Sequence, residues 1–506
     1  MKPRTWIWMT VVYLFAALAT PVWMAAQDNP SQDHKPKHHQ YKLIDLGTLG
    51  GPQSINYGLT GPLNNRGVAT GTADTSTLDP NNPQSPYFYQ PNYPNGLDPY
   101  IVHAFQWQNG VLSDLGTLPG GTSSGNQWIN ERGLVVGGAT NGAIDPLTGY
   151  PEVNAVLWKN GTIRNMGTLG GNESVAFGLN NRGQAVGFAL NLIPDSYTNV
   201  LAFGATQAHA FLWQDGVMQD LGTLGGPDSI AYIVNERGQV AGASFTNSTP
   251  NPTTGYPTFD PFLWENGKML DLGTLGGTAG GTNDMNNRGQ VVGNSNMAGD
   301  NSQHPFLWDP KKGLIDLGTF GGSNGTAQWL NDAGEVVGQA DLPVSGHDAF
   351  LWKNGVLTDL GNLGKTSSAE GINSSGQIVG GSRVNSTTVH GFLWENGGPM
   401  VDLNSLVIPG SGLTSTYTWA INDRGEIAGW GKLANGDVHA ILLIPCDGKH
   451  PGECQDYSMI EAATPQTSAP TTMKQGSESP ADTVNSLRNR FGRGFYLSGQ
   501  PAAPRD

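Results

Sequence analysis

Charge and cysteine are both scarce in this chain. Only 13% of its 506 residues are Asp, Glu, Lys or Arg, so its polar surface has to come from Asn, Gln, Ser, Thr and backbone, which favours a turn-rich β protein over a helical one. Positive charge is the scarcer sign, 26 Lys and Arg against 41 Asp and Glu for a formal net charge of -15, and no long basic run occurs. Tracking a phosphate backbone needs clustered positive charge, so nucleic acid is not an expected partner. Cys446 and Cys454 are the two cysteines. They are too few for a structural zinc site unless residues such as His450 join, and their spacing resembles none; in an exported chain they are expected to form a disulfide that pins the end of the domain. No P-loop, dinucleotide fingerprint, His-Glu-x-x-His or EF-hand loop appears, so no cofactor and no metal is expected.

Long apolar runs are missing too, except at the start. Lys2 and Arg4 precede an apolar stretch from Trp6 to about Ala19, followed by small residues, which predicts a secretory signal peptide over 1–26. Ala17-Leu18-Ala19 and Met24-Ala25-Ala26 are both candidate cleavage sites. The competing reading, an uncleaved anchor, would ordinarily need about 20 apolar residues. The expectation is a secreted protein, extracellular or periplasmic, with no membrane contact after signal removal and a linker over 27–40.

Glycine is abundant, with 72 residues, and much of it falls in a repeat. Three markers recur in a fixed order, eight times each. Asp-Leu-Gly or a variant starts at Asp45, Asp114, Asn165, Asp220, Asp271, Asp316, Asp359 and Asp402. Asn-x-x-Gly starts at Asn64, Asn130, Asn180, Asn235, Asn286, Asn331, Asn373 and Asn422. Ala-Phe-Leu-Trp or a variant starts at Ala104, Ala155, Ala210, Pro261, Pro305, Ala349, Gly391 and Ala440. The shortest unit is 43 residues, which suits a four-stranded propeller blade. Within a unit, HAFLW and VMQDLG flank Asp215-Gly216, and other units carry Asn-Gly there, the dipeptides that supply the positive φ angles of tight hairpins. A second hairpin turns at Glu236-Arg237-Gly238.

The repeats begin in mid-unit at YKLIDLG and end in mid-unit at HAILLIP, and the two fragments complete one unit. The predicted fold is therefore all-β: a closed β-propeller over 41–445 with eight four-stranded blades, sealed by strands from both termini so that no sheet edge is left open. A linear β-solenoid would hold eight copies but would not explain the complementary ends, and it would need atypical capping repeats. The remainder, 446–506, is read as a Cys-pinned end and a flexible Ser/Thr/Pro-rich tail.

The recurring His-Ala-Phe opening, with Asp-Leu-Gly-Thr-Leu-Gly-Gly and Asn-x-x-Gly-x-Val-Val-Gly, resembles the bacterial extracellular HAF-repeat family from about Tyr41 to Pro445. Pro261, Pro305 and Gly391 depart from the tripeptide without disturbing the β pattern. The resemblance implies export and a repeat scaffold, with no catalytic residues to carry over.

Residues copied into every unit are expected to serve the scaffold. Trp107, Trp158, Trp213, Trp264, Trp308, Trp352 and Trp394 occupy one repeat position and are expected to pack between sheets. The position before Ala-Phe-Leu-Trp holds His103, Asn154, His209, Asp260, His304, Asp348, His390 and His439. A metal along the axis is conceivable there, but exchange among His, Asn and Asp fits a structural hydrogen bond to a neighbouring turn better. The Asp of Asp-Leu-Gly is expected to brace the Gly-rich corner, and Gly137, Gly187, Gly293 and Gly338 to permit a bulge or close backbone contact. Gly121-Thr122-Ser123-Ser124-Gly125 matches a nucleophile elbow in letters only, because it occupies a repeat corner and not a strand-to-helix turn.

Departures from the repeat concentrate in the connection leading to Ala-Phe-Leu-Trp, which is long in the first four units and short in the last four. It holds Tyr87, Tyr89, Tyr93, Tyr100, Tyr150, Tyr197 and Tyr256, the candidate ligand-binding residues, and two loops share a pattern, DPLTGYPEVN and NPTTGYPTFD. Exposed aromatics among Asn and Asp suit stacking on carbohydrate or an extended polymer; the same residues could instead anchor the loops to the ring. Asp79, Asp98, Asp145, Glu152, Asp195 and Asp260 lie in or beside these loops and keep a glycosidase- or lyase-like enzyme as an alternative. A structural surface or matrix protein with protein partners is the third reading.

Overall fold

A computed structural model of the chain describes residues 38–56, 61–80, 99–146, 149–195, 206–252, 255–410 and 412–447. The expected signal peptide and Ser/Thr/Pro-rich tail fall outside them. The described residues form 32 β-strands in seven sheets. Six sheets have four strands; the seventh has eight because two blades are joined by one parallel pairing, Phe259 with Ala279. The structure thus holds eight four-stranded blades, and the one helical element among the described residues is a 3-10 turn at Leu403–Ser405.

Blade 3 shows the plan. Its inner strand Ser174–Leu179 pairs with the second, Ala185–Pro194, which pairs with the third, Thr206–Gln214, and then with the short outer strand Val217–Asp220. All pairings are antiparallel. The third and outer strands turn on Asp215 and Gly216, with φ of 53° and 96°, and the pairs Asn109-Gly110, Asn160-Gly161, Asn266-Gly267, Asn354-Gly355 and Asn396-Gly397 repeat the geometry. Two consecutive positive φ angles match the right-handed twist of the flanking strands. In the second strand, Gly187 sits against a bulge between Ala176 and Gly178, and a Cβ on it would fall 1.9 Å from the Val175 carbonyl oxygen. The glycine therefore permits the close contact expected of it.

Blade 8 is assembled from both ends of the repeat region. Leu413–Ile421, Ile427–Leu433 and Val438–Pro445 take their outer strand from Tyr41–Asp45, in register Tyr41 with Pro445 through Asp45 with Ile441. Tyr41 and Leu43 bury their side chains in this blade with Ile427, Ile441 and Leu443. The ring joins earlier than Tyr41: His38 Nδ1 lies 2.8 Å from Glu395 Oε1, and the Cys446 N–H donates to the Gln40 carbonyl at 2.8 Å.

Closure is visible in one circuit of hydrogen bonds. In each Asn-x-x-Gly turn the Asn Oδ1 accepts its own turn's N–H groups, as Asn235 does from Arg237 and Gln239, both at 3.0 Å. The Nδ2 of the same residue donates to the carbonyl of the equivalent Asn in the next blade. The chain of donors runs Asn64, Asn130, Asn180, Asn235, Asn286, Asn331, Asn373 and Asn422, and Asn422 returns to the Asn64 carbonyl at 2.9 Å. Asparagine is suited to this because one side chain carries both an acceptor and a donor.

Candidate functional site

Because each blade is an antiparallel meander, the Asn-x-x-Gly turns and tight hairpins lie at one end of the ring. The long connections and Gly-rich links between blades lie at the other. The loop-bearing end differs between the two halves of the ring. Second strands in blades 1 to 3 run ten residues, Ala69–Leu78, Val135–Ile144 and Ala185–Pro194, whereas in blades 4 to 8 they run six or seven. The extra residues carry a register shift just before the tip in all three blades. Within or at the end of it Leu78, Ile144, Leu192 and Ile193 are 62, 52, 76 and 54% exposed. Three consecutive blades thus present bare aliphatic side chains on projecting hairpins. A signal was present in blade 3, whose second strand stays largely apolar past Gly187 as Phe188-Ala189-Leu190-Asn191-Leu192-Ile193; blades 1 and 2 turn polar after the Gly and carry none.

Of the candidate tyrosines, Tyr87, Tyr89, Tyr93 and Tyr197 lie outside the described residues. Tyr100 opens the third strand of blade 1 and pairs with Leu78. Tyr150 and Tyr256 close equivalent turns in the two loops that share a written pattern. The Asp145 N–H donates to the Tyr150 carbonyl and that of Gly149 to the Asp145 carbonyl, both at 2.8 Å; Asn251, Tyr256 and Gly255 repeat this at 2.9 and 2.8 Å. Tyr256 also packs its ring 6.1 Å from that of Phe259, on the apolar cluster of Phe188, Phe245 and Ile230. It anchors its loop, as one of the two sequence readings expected. Cys446 is disulfide-bonded; Cys454 lies outside the described residues.

The repeated polar position resolves into a hydrogen bond at each blade corner. His103, His209, His304, His390 and His439 place Nδ1 within 2.7–2.9 Å of Asp114, Asp220, Asp316, Asp402 and Asp45. The same Asp residues brace the Gly-rich link, as Asp114 Oδ1 accepts the Gly116 N–H at 2.7 Å. Burial pushes the Asp114 and Asp220 carboxyls up, but their His partners and the Gly116 and Gly222 N–H groups outweigh it and hold both below the usual aspartate range. Blade 2 uses Asn165 Nδ2 donating to Asn154 Oδ1 at 3.1 Å, and blade 6 uses Asn362 Nδ2 donating to Asp348 at 2.8 Å. Among the described residues no group of three or more His, Cys, Asp or Glu is arranged to hold a metal.

The candidate carboxylates do not converge on one point. Asp98 lies outside the described residues. Glu152 accepts from Asn141 Nδ2 at 3.1 Å, while Asp79 and Asp145 are buried in their own loops. Asp195, at the tip of blade 3, meets Asp228 of the following Gly-rich link, which is not among the candidate carboxylates. Asp228 is 2% exposed, accepts the Ala208 N–H at 2.9 Å, and is pushed up to about 7 by burial and by the Asp195 carboxylate. Asp260 pairs instead with Asp271 at its blade corner, where burial and Asp271 raise it.

The central channel is occupied by side chains. Trp128 of blade 2 and Trp329 of blade 6, opposite members of the ring, stack with centroids 6.0 Å apart and planes 12° apart. Trp128 also packs against the cluster that contains Ile233 and Met285. Phe177 and Tyr232 from blades 3 and 4 approach each other at 5.7 Å. In blade 5 the buried Asp284 accepts the Leu330 N–H of blade 6 at 3.1 Å and is pushed up to about 7, burial being the main cause. The repeat did not announce these residues, because the positions two and three before Asn-x-x-Gly are not themselves repeated.

No protein-family model matches the chain, and no curated protein does. Several solved structures resemble it distantly. The β-propeller domain of the trilobed protease from Pyrococcus furiosus, described as having an open velcro topology, shares 7% identity over 80% of this chain and 94% of that one, at a TM-score of 0.35. A puromycin-hydrolysing peptidase from Mycobacterium tuberculosis shares 11% over 77% and 60%, at 0.42. A gluconolactonase from Xanthomonas campestris shares 13% over 47% and 78%, at 0.26. Similarity this low carries no activity over to the present chain.

Proposed function

We propose that the protein is an exported, non-catalytic binding module of the HAF-repeat type, which holds an extracellular carbohydrate or similar polymer against the loop-bearing end of blades 1 to 4. The observation that carries this reading is the row of projecting hairpins with Leu78, Ile144, Leu192 and Ile193 exposed on three consecutive blades. Aliphatic contacts and nearby tyrosine rings suit the apolar faces of sugar rings, and their spread over several blades suits an extended ligand better than a compact one. The asymmetry also favours a ligand-facing role over a purely structural one, since blades 4 to 8 build the same scaffold without the extended second strands. Catalysis is less favoured: the described candidate carboxylates are dispersed, and Asp228 and Asp260 are spent on carboxyl pairs.

The test is retention of the purified chain on a panel of soluble and insoluble polysaccharides, alongside the double variant Tyr100→Ala, Tyr150→Ala and a variant with Leu192 and Ile193 changed to Ser. Loss of one ring contact worth about 0.5–1.5 kcal/mol should weaken binding roughly 2- to 10-fold per tyrosine. Released saccharide products, abolished by Asp228→Asn, would replace the binding reading with the enzymatic one. Failure of every polysaccharide to retain the protein would leave a protein partner or a matrix role.

A further inference from the structure

The blade corners solve one problem by different chemistry. Two acceptors face each other there, and a hydrogen has to stand between them. In blades 2 and 6 an amide supplies it permanently, from Asn165 or Asn362. In blade 4 two carboxyls, Asp260 and Asp271, face each other, and burial together with the Asp271 carboxyl raises Asp260, which favours one proton shared by the pair. In blades 1, 3, 5, 7 and 8 an imidazole faces the carboxylate. One of these rings meets acceptors on both sides: His103 Nε2 lies 3.0 Å from the Thr122 carbonyl while its Nδ1 faces Asp114. His439 faces Asp45 through Nδ1 at 2.8 Å across the seam between the two ends of the repeat region, and the Pro52 backbone also favours its protonated form. Protonation turns the His439–Asp45 contact from a hydrogen bond into an ion pair.

From this geometry we propose that the His439–Asp45 corner is a proton-operated latch, which makes the seal between the two ends of the repeat region tighten in mildly acidic medium and loosen in alkaline medium. The groups facing His439 are Asp45 on the N-terminal strand, the Pro52 backbone of blade 1 and Asp437 on its own hairpin. No Lys or Arg side chain opposes it among the groups that set its charge. Burial draws this imidazole down, but the Asp45 hydrogen bond and charge outweigh it and raise it above the ordinary imidazole value.

The direction follows from linkage. A histidine raised in the folded state adds stability that is complete below its unfolded value and is lost as pH rises through the folded one. Asp260, raised by burial and by Asp271, acts in the same direction over a lower range: stability falls from the unfolded aspartate value up to the folded one. Asp114, Asp220, Asp309 and Glu335, whose carboxyls are depressed, set the acid limit, losing their contribution as pH falls through those lowered values. The most stable window therefore lies on the acid side of neutrality.

The experiment is thermal unfolding of the full chain from about pH 5.5 to about pH 8.5, for the natural sequence, His439→Asn and Asp260→Asn, with a nitrogen-detected titration of His439. The midpoint should fall with rising pH. Asp260→Asn supplies the missing hydrogen covalently, so it should raise the alkaline midpoint by about 2–4 °C and flatten the slope. His439→Asn should lower the acid midpoint and flatten the slope further. His439 should titrate above free imidazole. Unchanged slopes in both variants, or a His439 that titrates below free imidazole, would overturn the proposal. If His439→Asn does not fold, Asp260→Asn and the titration decide it.

Discussion

A single asparagine per blade does two jobs, and the chemistry explains why no other side chain replaces it in any of the eight turns. In blade 4, Asn235 accepts from two backbone N–H groups within its own turn and donates both to the Gln239 side chain at 2.8 Å and to the Asn286 carbonyl at 3.1 Å. The change Asn235→Asp keeps the acceptor, deletes the donor and sets a carboxylate oxygen against a buried carbonyl. It should cost about 1–3 kcal/mol in urea unfolding near neutral pH, and part of that loss should return at low pH, where the carboxyl regains a hydrogen. A neighbouring circuit shows the same dependence on side-chain length. Residues one beyond the Asn link blade to blade in seven of eight steps, for example Glu131 N–H to Asn181 Oδ1 at 2.8 Å and Asp423 N–H to Asn65 Oδ1 at 2.8 Å. Ser374, where the others carry Asn, Asp or Glu, is too short to complete the step from Asp332.

At the scale of strands, the seam of blade 8 was legible because a repeat cut at both ends leaves complementary pieces, and the hairpin turns because Asn-Gly and Asp-Gly state their φ angles. The Asn circuit was not. The spacing Asn-x-x-Gly marks a turn, but nothing in one unit says that the amide reaches into the next. The projecting hairpins were half legible: loop length singled out blades 1 to 4, while the aliphatic tips at Leu78, Ile144 and Leu192 follow from how far the strands remain paired. The seam also yields a prediction. A chain beginning at Leu46 lacks the outer strand of blade 8, exposes the edge of Val438–Pro445 and leaves His439 without Asp45. Removing the buried Tyr41 and Leu43 side chains should cost about 3–6 kcal/mol, and the open edge should drive self-association visible by light scattering. A synthetic peptide spanning residues 38–47, added in excess, should restore the midpoint; failure to do so would mean that the strand acts only when covalently attached.

For the whole molecule, the consequence of closure is a channel, and the consequence of Trp128 and Trp329 is that the channel is blocked between opposite blades. A ring of eight blades leaves more space on its axis than backbone can fill, and two indoles on inner strands reach across it where the same position elsewhere holds Pro62, Gly178, Ile233, Asp284, Gly371 or Ala420. This leaves the loop-bearing end, and not the axis of the ring, as the surface for the recognition proposed above. It also couples blades that share no hydrogen bond. Trp128→Ala and Trp329→Ala should each destabilise the fold, by less than the roughly 3–5 kcal/mol of a fully buried tryptophan, because both rings are only half-buried. The decisive measurement is the double variant: mutual stacking predicts a combined loss smaller than the sum by about 0.5–1.5 kcal/mol, with each single change removing most of the shared near-ultraviolet circular dichroism. Strict additivity would mean that each indole packs on its own wall, and that opposite blades are joined only through the circuit of asparagines around the rim.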